Sequence, residues 1–359
     1  MGRWAGFWRG WNWAPSASGG GLGWGPAPRH VPAAVGGASR PPSLPSPRGG
    51  RNSSRASLRR SGPRPPWALA GLLTCALGVA HAYDITDDAG QTTAFEQAPA
   101  RIVSLLPSLT ETVCALDACD RLVGVDRYSN WPERVQQLPQ LGGGLDPSIE
   151  AVVAQKPDVV LIGTSSRAAV RLRALGLKVV ALEPRTRADL RRTTLQLSQL
   201  LQVPGAAALM ARIDAGVADA AASLPAAARG QRVYYEITPA PHAAGQGSFI
   251  NELLQALGLR NIIDDPALGP FPRINPELVV RANPDLIIVS QQGAADMARR
   301  PGWAPMPALR AGHVCEFNAS ERDILVRPGP RMPEAARLMA DCAAHRTVRR
   351  AQVLGAEVK

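Results

Sequence analysis

Two stretches of this chain repeat one unit: IEAVVAQKPDVVLIG (149–163) and PELVVRANPDLIIVS (276–290). They pair Glu150 with Glu277, Pro157 with Pro284 and Asp158 with Asp285. Each reads as a helix opened by an acid, broken at Pro-Asp, and followed at once by a fully apolar strand. The copies lie far beyond the spacing of solenoid repeats, so the unit occurs once per half of the chain. That pattern implies an α/β protein of two pseudo-equivalent lobes with a cleft between them.

The stretch RIVSLLPSLTETVCALDACDRLVGVDRYSNWP (101–132) supplies the first lobe with a βαβ unit. Ile102 to Leu106 is a short buried strand, broken by Pro107 and Ser108. Ser108 or Thr110 is placed to cap the next helix, with Glu111 in its first turn, where the helix dipole favours an acid. Leu122 to Val125 is a parallel strand, and the polar loop after it, Asp126 to Pro132, carries Tyr128 and Trp131. Loops at the carboxyl ends of parallel strands are where α/β proteins hold ligands, so this loop is expected to line the cleft.

The formal net charge of +11 suggests a nucleic-acid partner only until its distribution is read. Ten arginines and no acid fall in residues 1–66, leaving about +1 for the rest. The folded part is near neutral, which argues against DNA binding. Residues 1–58 are rich in Gly, Pro, Ser, Arg and Trp without apolar periodicity, and read as a disordered basic extension upstream of the true start. Residues 59–82 follow the plan of a secretory signal: Arg59, Arg60 and Arg64, an apolar run from Trp67 to Val79, and Ala80-His81-Ala82. Cleavage after Ala82 would leave a mature, periplasmic chain from Tyr83. Thr74 before Cys75 is not the small residue usual before a lipoprotein cysteine.

Four cysteines remain in an exported chain, which points to two disulfides. Cys114 and Cys119 can meet if their helix ends near Asp117, as the strand from Leu122 requires; Cys315 and Cys342 then pair by elimination. A zinc site is disfavoured because His242, His313 and His345 are scattered.

Along the mature chain, residues 83–99 read as a hairpin turning at Ala89-Gly90. Residues 83–185 form the N-terminal lobe, 186–224 two linking helices, 225–345 the C-terminal lobe and 346–359 a tail. The first linking helix ends near Leu201; the second starts at Pro204 in its first turn and, at 19 residues, is about 28 Å long, enough to run beside both lobes. No G-x-S-x-G, H-E-x-x-H or P-loop occurs, and Gly142-Gly143-Gly144 lacks dinucleotide-binding spacing, so an enzyme is not expected.

RIVSLLPSLTE, VGVDRYSNWP, the Glu150 unit, AAGQGSFIN (243–251), FPRINPELVV and RPGPR (327–331) together resemble periplasmic substrate-binding proteins of ABC importers, of the type whose lobes are joined by a backbone helix, and most closely the cobalamin-binding receptors. The resemblance covers residues 99–345. It implies a monomer without a resident cofactor, partnered by a corrinoid and by an inner-membrane permease. It places Tyr128 against the corrin ring with Trp131 beside it, Phe271 and His242 facing the ring from the second lobe, and Asp323 and Arg327 on its amide side chains or its nucleotide loop. It also implies that Glu150 and Glu277 dock the transporter, one per lobe. Gly142 and Thr164 stand near positions where such receptors carry Trp, and Ala256 near a cysteine, so a ferric siderophore or haem is the alternative cargo.

Overall fold

A computed structural model describes residues 82–239, 241–289 and 294–344. The basic extension, all but the last residue of the secretory segment, and the 346–359 tail lie outside the described residues.

In chain order, β1 (Tyr83–Thr86) and β2 (Thr92–Phe95) form the expected hairpin, with Gly90 at φ +74° in its turn. The first lobe follows as β3 (Ile102–Ser104), α1 (Pro107–Ala115), β4 (Leu122–Val125), α2 (Ile149–Ala154), β5 (Val159–Ile162), α3 (Ala168–Ala174) and β6 (Val179–Ala181). The linking helices are α4 (Arg187–Leu201) and α5 (Ala206–Ser223). The second lobe comprises β7 (Arg232–Thr238), β8 (His242–Ala243), α6 (Phe249–Ala256), β9 (Arg260–Asn261), α7 (Pro276–Ala282), β10 (Leu286–Val289), α8 (Ala294–Met297), α9 (Pro307–Arg310), β11 (Val314–Glu316), α10 (Ala319–Leu325) and α11 (Met332–Ala343).

The two lobes share one strand plan. The first sheet runs β4-β3-β5-β6, all parallel. In the second, β9, β7, β10 and β11 adjoin in the same parallel order, and β8 adds an antiparallel pair at the carboxyl end of β7. Alternate residues feed different cores: Val159 and Leu161 enter the main cluster, Val160 and Ile162 a second one on the opposite face. Burial on both faces explains why these strands read as unbroken apolar runs. The main cluster is continuous from Ile102 and Leu161 through Leu197 and Ile213 to Tyr235 and Met339, so the lobes share a core.

The repeated unit acts as a strand-entry clamp. Ser148 caps α2 and Asn275 caps α7; both helices end on a left-handed residue, Lys156 (φ +48°) and Asn283 (φ +44°), immediately before Pro-Asp. Asp158 Oδ2 accepts the Arg101 N–H (2.8 Å), and Asp285 Oδ2 accepts that of Arg232 (2.8 Å). Each arginine then returns a guanidinium to the preceding helix end, Arg101 to Gln155 O (2.6 Å) and Arg232 to Ala282 O (3.0 Å). The Arg232 hydrogen bonds hold the Asp285 carboxyl below its ordinary range.

Some boundaries differ from expectation. The first helix begins at Pro107 with no side-chain cap, so Ser108, Thr110 and Glu111 all lie inside it. Pro204 precedes α5, whose cap is Gly205 at φ +110°, a conformation glycine adopts freely. The two-residue strands β8 and β9 and the helix α10 carried no readable periodicity. In α5, Leu209, Met210, Ile213, Val217 and Ala220 form the buried stripe, and Gly216 lets α11 approach: a Cβ there would stand 2.7 Å from that of Pro333. Both disulfides are formed, Cys114–Cys119 where α1 stops and Cys315–Cys342 tying β11 to α11.

Candidate functional site

The loop after β4 is organised by Asp126, which has no exposed surface. Its carboxylate accepts the Tyr128 N–H (3.0 Å) and the Ser129 Oγ hydroxyl (2.5 Å). Ser129 Oγ lies 2.8 Å from Thr110 Oγ1, which donates to Ser104 Oγ (2.8 Å), so a buried chain of hydroxyls ties the loop to β3 and α1. Burial is the main cause that pushes the Asp126 carboxyl up to about 6, against the lowering pull of Ser129, the Tyr128 N–H and Arg327. Because the folded value lies above the unfolded one, the contribution to stability is complete below about pH 4 and lost as pH rises through about 6. Urea unfolding of Asp126→Asn beside the parent should therefore show the parent losing about 3 kcal/mol more than the variant between pH 4 and pH 8. Parallel pH profiles would contradict this.

Beyond Asp126 the loop meets the second lobe in a cluster of buried charges. Glu111, Arg327, Asp323 and Arg331 have side chains only 2%, 4%, 5% and 9% exposed. Glu111 Oε1 accepts from Arg327 Nη1 (3.0 Å) and Arg331 Nη2 (2.7 Å), and its Oε2 accepts from Arg331 Nε (3.1 Å). Arg327 also donates to Asn130 Oδ1 (2.8 Å) and to the Tyr128 carbonyl (2.9 Å), and pairs with Asp323 at 3.0 Å. Asn130 Nδ2 donates to Asp323 Oδ2 (2.6 Å), while Asp323 Oδ1 is buried without a hydrogen-bond partner. Burial raises the Asp323 carboxyl, with Arg327 pulling the other way. The Arg331 guanidinium lies 5.1 Å over the Trp131 ring, and that of Arg127 5.8 Å over Tyr128.

Tyr128, Trp131, Asp323 and Arg327 thus share one junction between the lobes. His242 and Phe271 sit on the second lobe's β7–β8 edge. His242 Nδ1 is 3.0 Å from Thr238 Oγ1, and burial, then Arg273, lowers its pKa, so the ring is neutral at neutral pH. Phe271 is half-buried against the main core, in a segment whose Pro272 carbonyl accepts the Ala243 N–H (3.0 Å). The backbone comes close here: a Cβ on Gly245 would stand 2.3 Å from the Gly269 carbonyl. Glu150 and Glu277 occupy matching first turns of α2 and α7 with exposed side chains, and Glu150 lies 3.9 Å from Arg171.

Sequence reasoning named Asp323 and Arg327 of this junction but overlooked the residues that tie them to the loop and to the first lobe. Glu111 is no dipole acid but the buried counter-ion of Arg327 and Arg331. Asp126 and Asn130 are its organisers on the loop. A glutamate among Leu109, Thr110, Thr112 and Val113, and two arginines flanking Pro-Gly-Pro, were the available signals. Among the described residues, no group of three or more His, Cys, Asp or Glu could hold a metal ion, and no helix is long and apolar enough to cross a membrane.

Residues 102–320 match the family model described as periplasmic binding protein. The vitamin B12-binding protein of Vibrio vulnificus is 27% identical over 237 residues, covering 64% of this chain and 85% of that protein. Among solved structures, the periplasmic vitamin B12-binding protein BtuF of Vibrio cholerae superposes with TM-score 0.57 and 25% identity over 69% of this chain and 99% of its own. A periplasmic haem-binding protein from Pseudomonas aeruginosa does so with TM-score 0.60 and 25% identity over 70% and 94%.

Proposed function

Since this chain belongs to the periplasmic binding protein family, whose members bind solutes and are not enzymes, we propose that it captures cobalamin or a related corrinoid and delivers it to an ABC importer. The observation that carries the reading is the junction of Tyr128 and Trp131 with Asp323 and Arg327. A corrin is a broad, mostly apolar disc rimmed with amides. Aromatic side chains suit its face, and a few buried donors and acceptors suit its rim. The unpaired Asp323 Oδ1 is an acceptor of the kind an amide N–H would satisfy. The B12-binding relative supports the same cargo. Haem or a ferric siderophore is the second reading: a haem-binding neighbour matches equally well, and Gly142 and Thr164 offer no aromatic wall.

In this reading Phe271 and His242 close on the ligand from the second lobe, and Glu150 and Glu277 meet the permease. The chain acts in the periplasm as a monomer after cleavage behind Ala82. The anchoring of Tyr83 supports that start, since its hydroxyl donates to Leu200 O (2.6 Å) and its ring stacks on Phe95. Tyr128→Ala should weaken cobalamin binding by about 1–3 kcal/mol, the scale of one buried aromatic side chain, in isothermal titration of the purified protein. An unchanged Kd would remove Tyr128 from the ligand contact.

A further inference from the structure

We infer that Glu111 is the positioning residue of the ligand loop: through Arg327 and Arg331 it sets the places of Tyr128, Asn130 and Trp131. The inference rests on the binding reading above and deepens it. Glu111 belongs to α1 of the first lobe, yet both its partners come from the second, 216 and 220 residues along the chain. The two arginines flank Pro328-Gly329-Pro330, whose prolines have fixed φ and no N–H, which limits the backbone between them. Each arginine then hands the constraint back to the loop. Arg327 carries the Tyr128 carbonyl and the Asn130 amide on its fork. Arg331, held bidentately by Glu111, lies 5.1 Å over the Trp131 ring.

Charge explains why the acid matters. Without Glu111, two guanidiniums share the buried junction with Asp323 as the one carboxylate among their described ion pairs. Arg331, having lost its fork, is held over Trp131 by the cation–π contact alone. Arg327, competing for Asp323, pulls on the same oxygen that receives Asn130. The loop would lose its place while Asp126 and the hydroxyl chain still hold its base.

The test compares the purified protein with Glu111→Gln and, as a control for lost stability, Leu200→Ala, a fully buried core position on α4. Hydrogen–deuterium exchange over residues 126–132 reads loop order without ligand, and calorimetric titration with cyanocobalamin at 15 °C reads binding. The expected result for Glu111→Gln is at least tenfold faster loop exchange with unchanged exchange over β10, and at least tenfold weaker cobalamin binding. Leu200→Ala should lower Tm with neither effect, and Glu111→Asp, which keeps the charge but shortens the reach, should fall between Gln and the parent. If Glu111→Gln does not fold, Arg331→Lys, which keeps the charge and loses the fork, must show the same loop signature. Normal loop exchange beside a lowered Tm, in either variant, would overturn the inference. If the parent protein binds no cobalamin, the cargo reading fails on its own, and the exchange measurement still decides the role of Glu111.

Discussion

Glu111→Ala is expected to lower the free energy of unfolding by about 3–5 kcal/mol, measured by urea denaturation at pH 7. Two opposing effects set the sign. Taking Glu111, Arg327 and Arg331 out of water costs several kcal/mol per ion, so the intact triad adds little net stability over an apolar packing of the same volume. Removing one member is another matter. Arg331 is then left buried without its bidentate partner, and Arg327 keeps Asp323 as its one ion-pair partner among the described residues, beside the Asn130 and Tyr128 oxygens. Bulk solvent reaches little of these side chains, which are at most 9% exposed. Arg331→Ala alone should also be costly, and the double variant Glu111→Ala with Arg331→Ala should cost less than the sum of the singles, because the second change removes the orphan the first creates. A loss below 1 kcal/mol for Glu111→Ala, or strict additivity in the cycle, would mean that water or a rearranged side chain satisfies the arginines.

The second large effect concerns the membrane partner. Glu150→Ala combined with Glu277→Ala should leave cobalamin affinity nearly unchanged while uptake in a transport assay falls at least tenfold. Both acids sit in first turns, where the dipole favours a carboxylate by only about 0.3–1 kcal/mol, so little stability is at stake. Neither touches the junction of Tyr128, Asp323 and Arg327. What marks them is their duplication. They occupy the same place in two lobes of the same strand plan, one exposed helix-start acid of the repeated unit in each lobe, as a permease with two-fold symmetry would require. Arginine on such a permease would suit each carboxylate bidentately. Glu150 already lies 3.9 Å from Arg171, whereas Glu277 shows no comparable ion pair among the described residues, so Glu277→Ala should be the more damaging single change. Normal uptake by the double variant, or loss of cobalamin binding, would refute the assignment.

Much of this was legible because local chemistry dictated it. Pro-Asp ended two helices and opened two strands, and a helix that must stop before Leu122 let Cys114 reach Cys119, with Asp117 turning at φ +59°. What escaped was long-range. Arg101 and Arg232 look like ordinary surface arginines until the strands they begin lie beside Asp158 and Asp285. Glu111 looked like a helix-start acid, since a linear reading can weigh a dipole one turn away and not two guanidiniums more than 200 residues on. Pro204 suited a first turn by type, but Gly205 offered the left-handed cap and took the boundary. The placing of His242 and Phe271 on the ligand still rests on family likeness.

The corrinoid reading is tested most directly by titrating the chain from Tyr83 to Lys359 with cyanocobalamin, with haem and with a ferric hydroxamate siderophore, following tryptophan emission. That chain holds two tryptophans, Trp303 buried in the second lobe and Trp131 half-exposed on the loop after β4. Cyanocobalamin should quench the emission saturably and one-to-one, most of the quenching being lost in Trp131→Phe, at concentrations where the other two change the emission little. Tight quenching by haem or by the siderophore, with cyanocobalamin inert, would contradict the corrinoid reading.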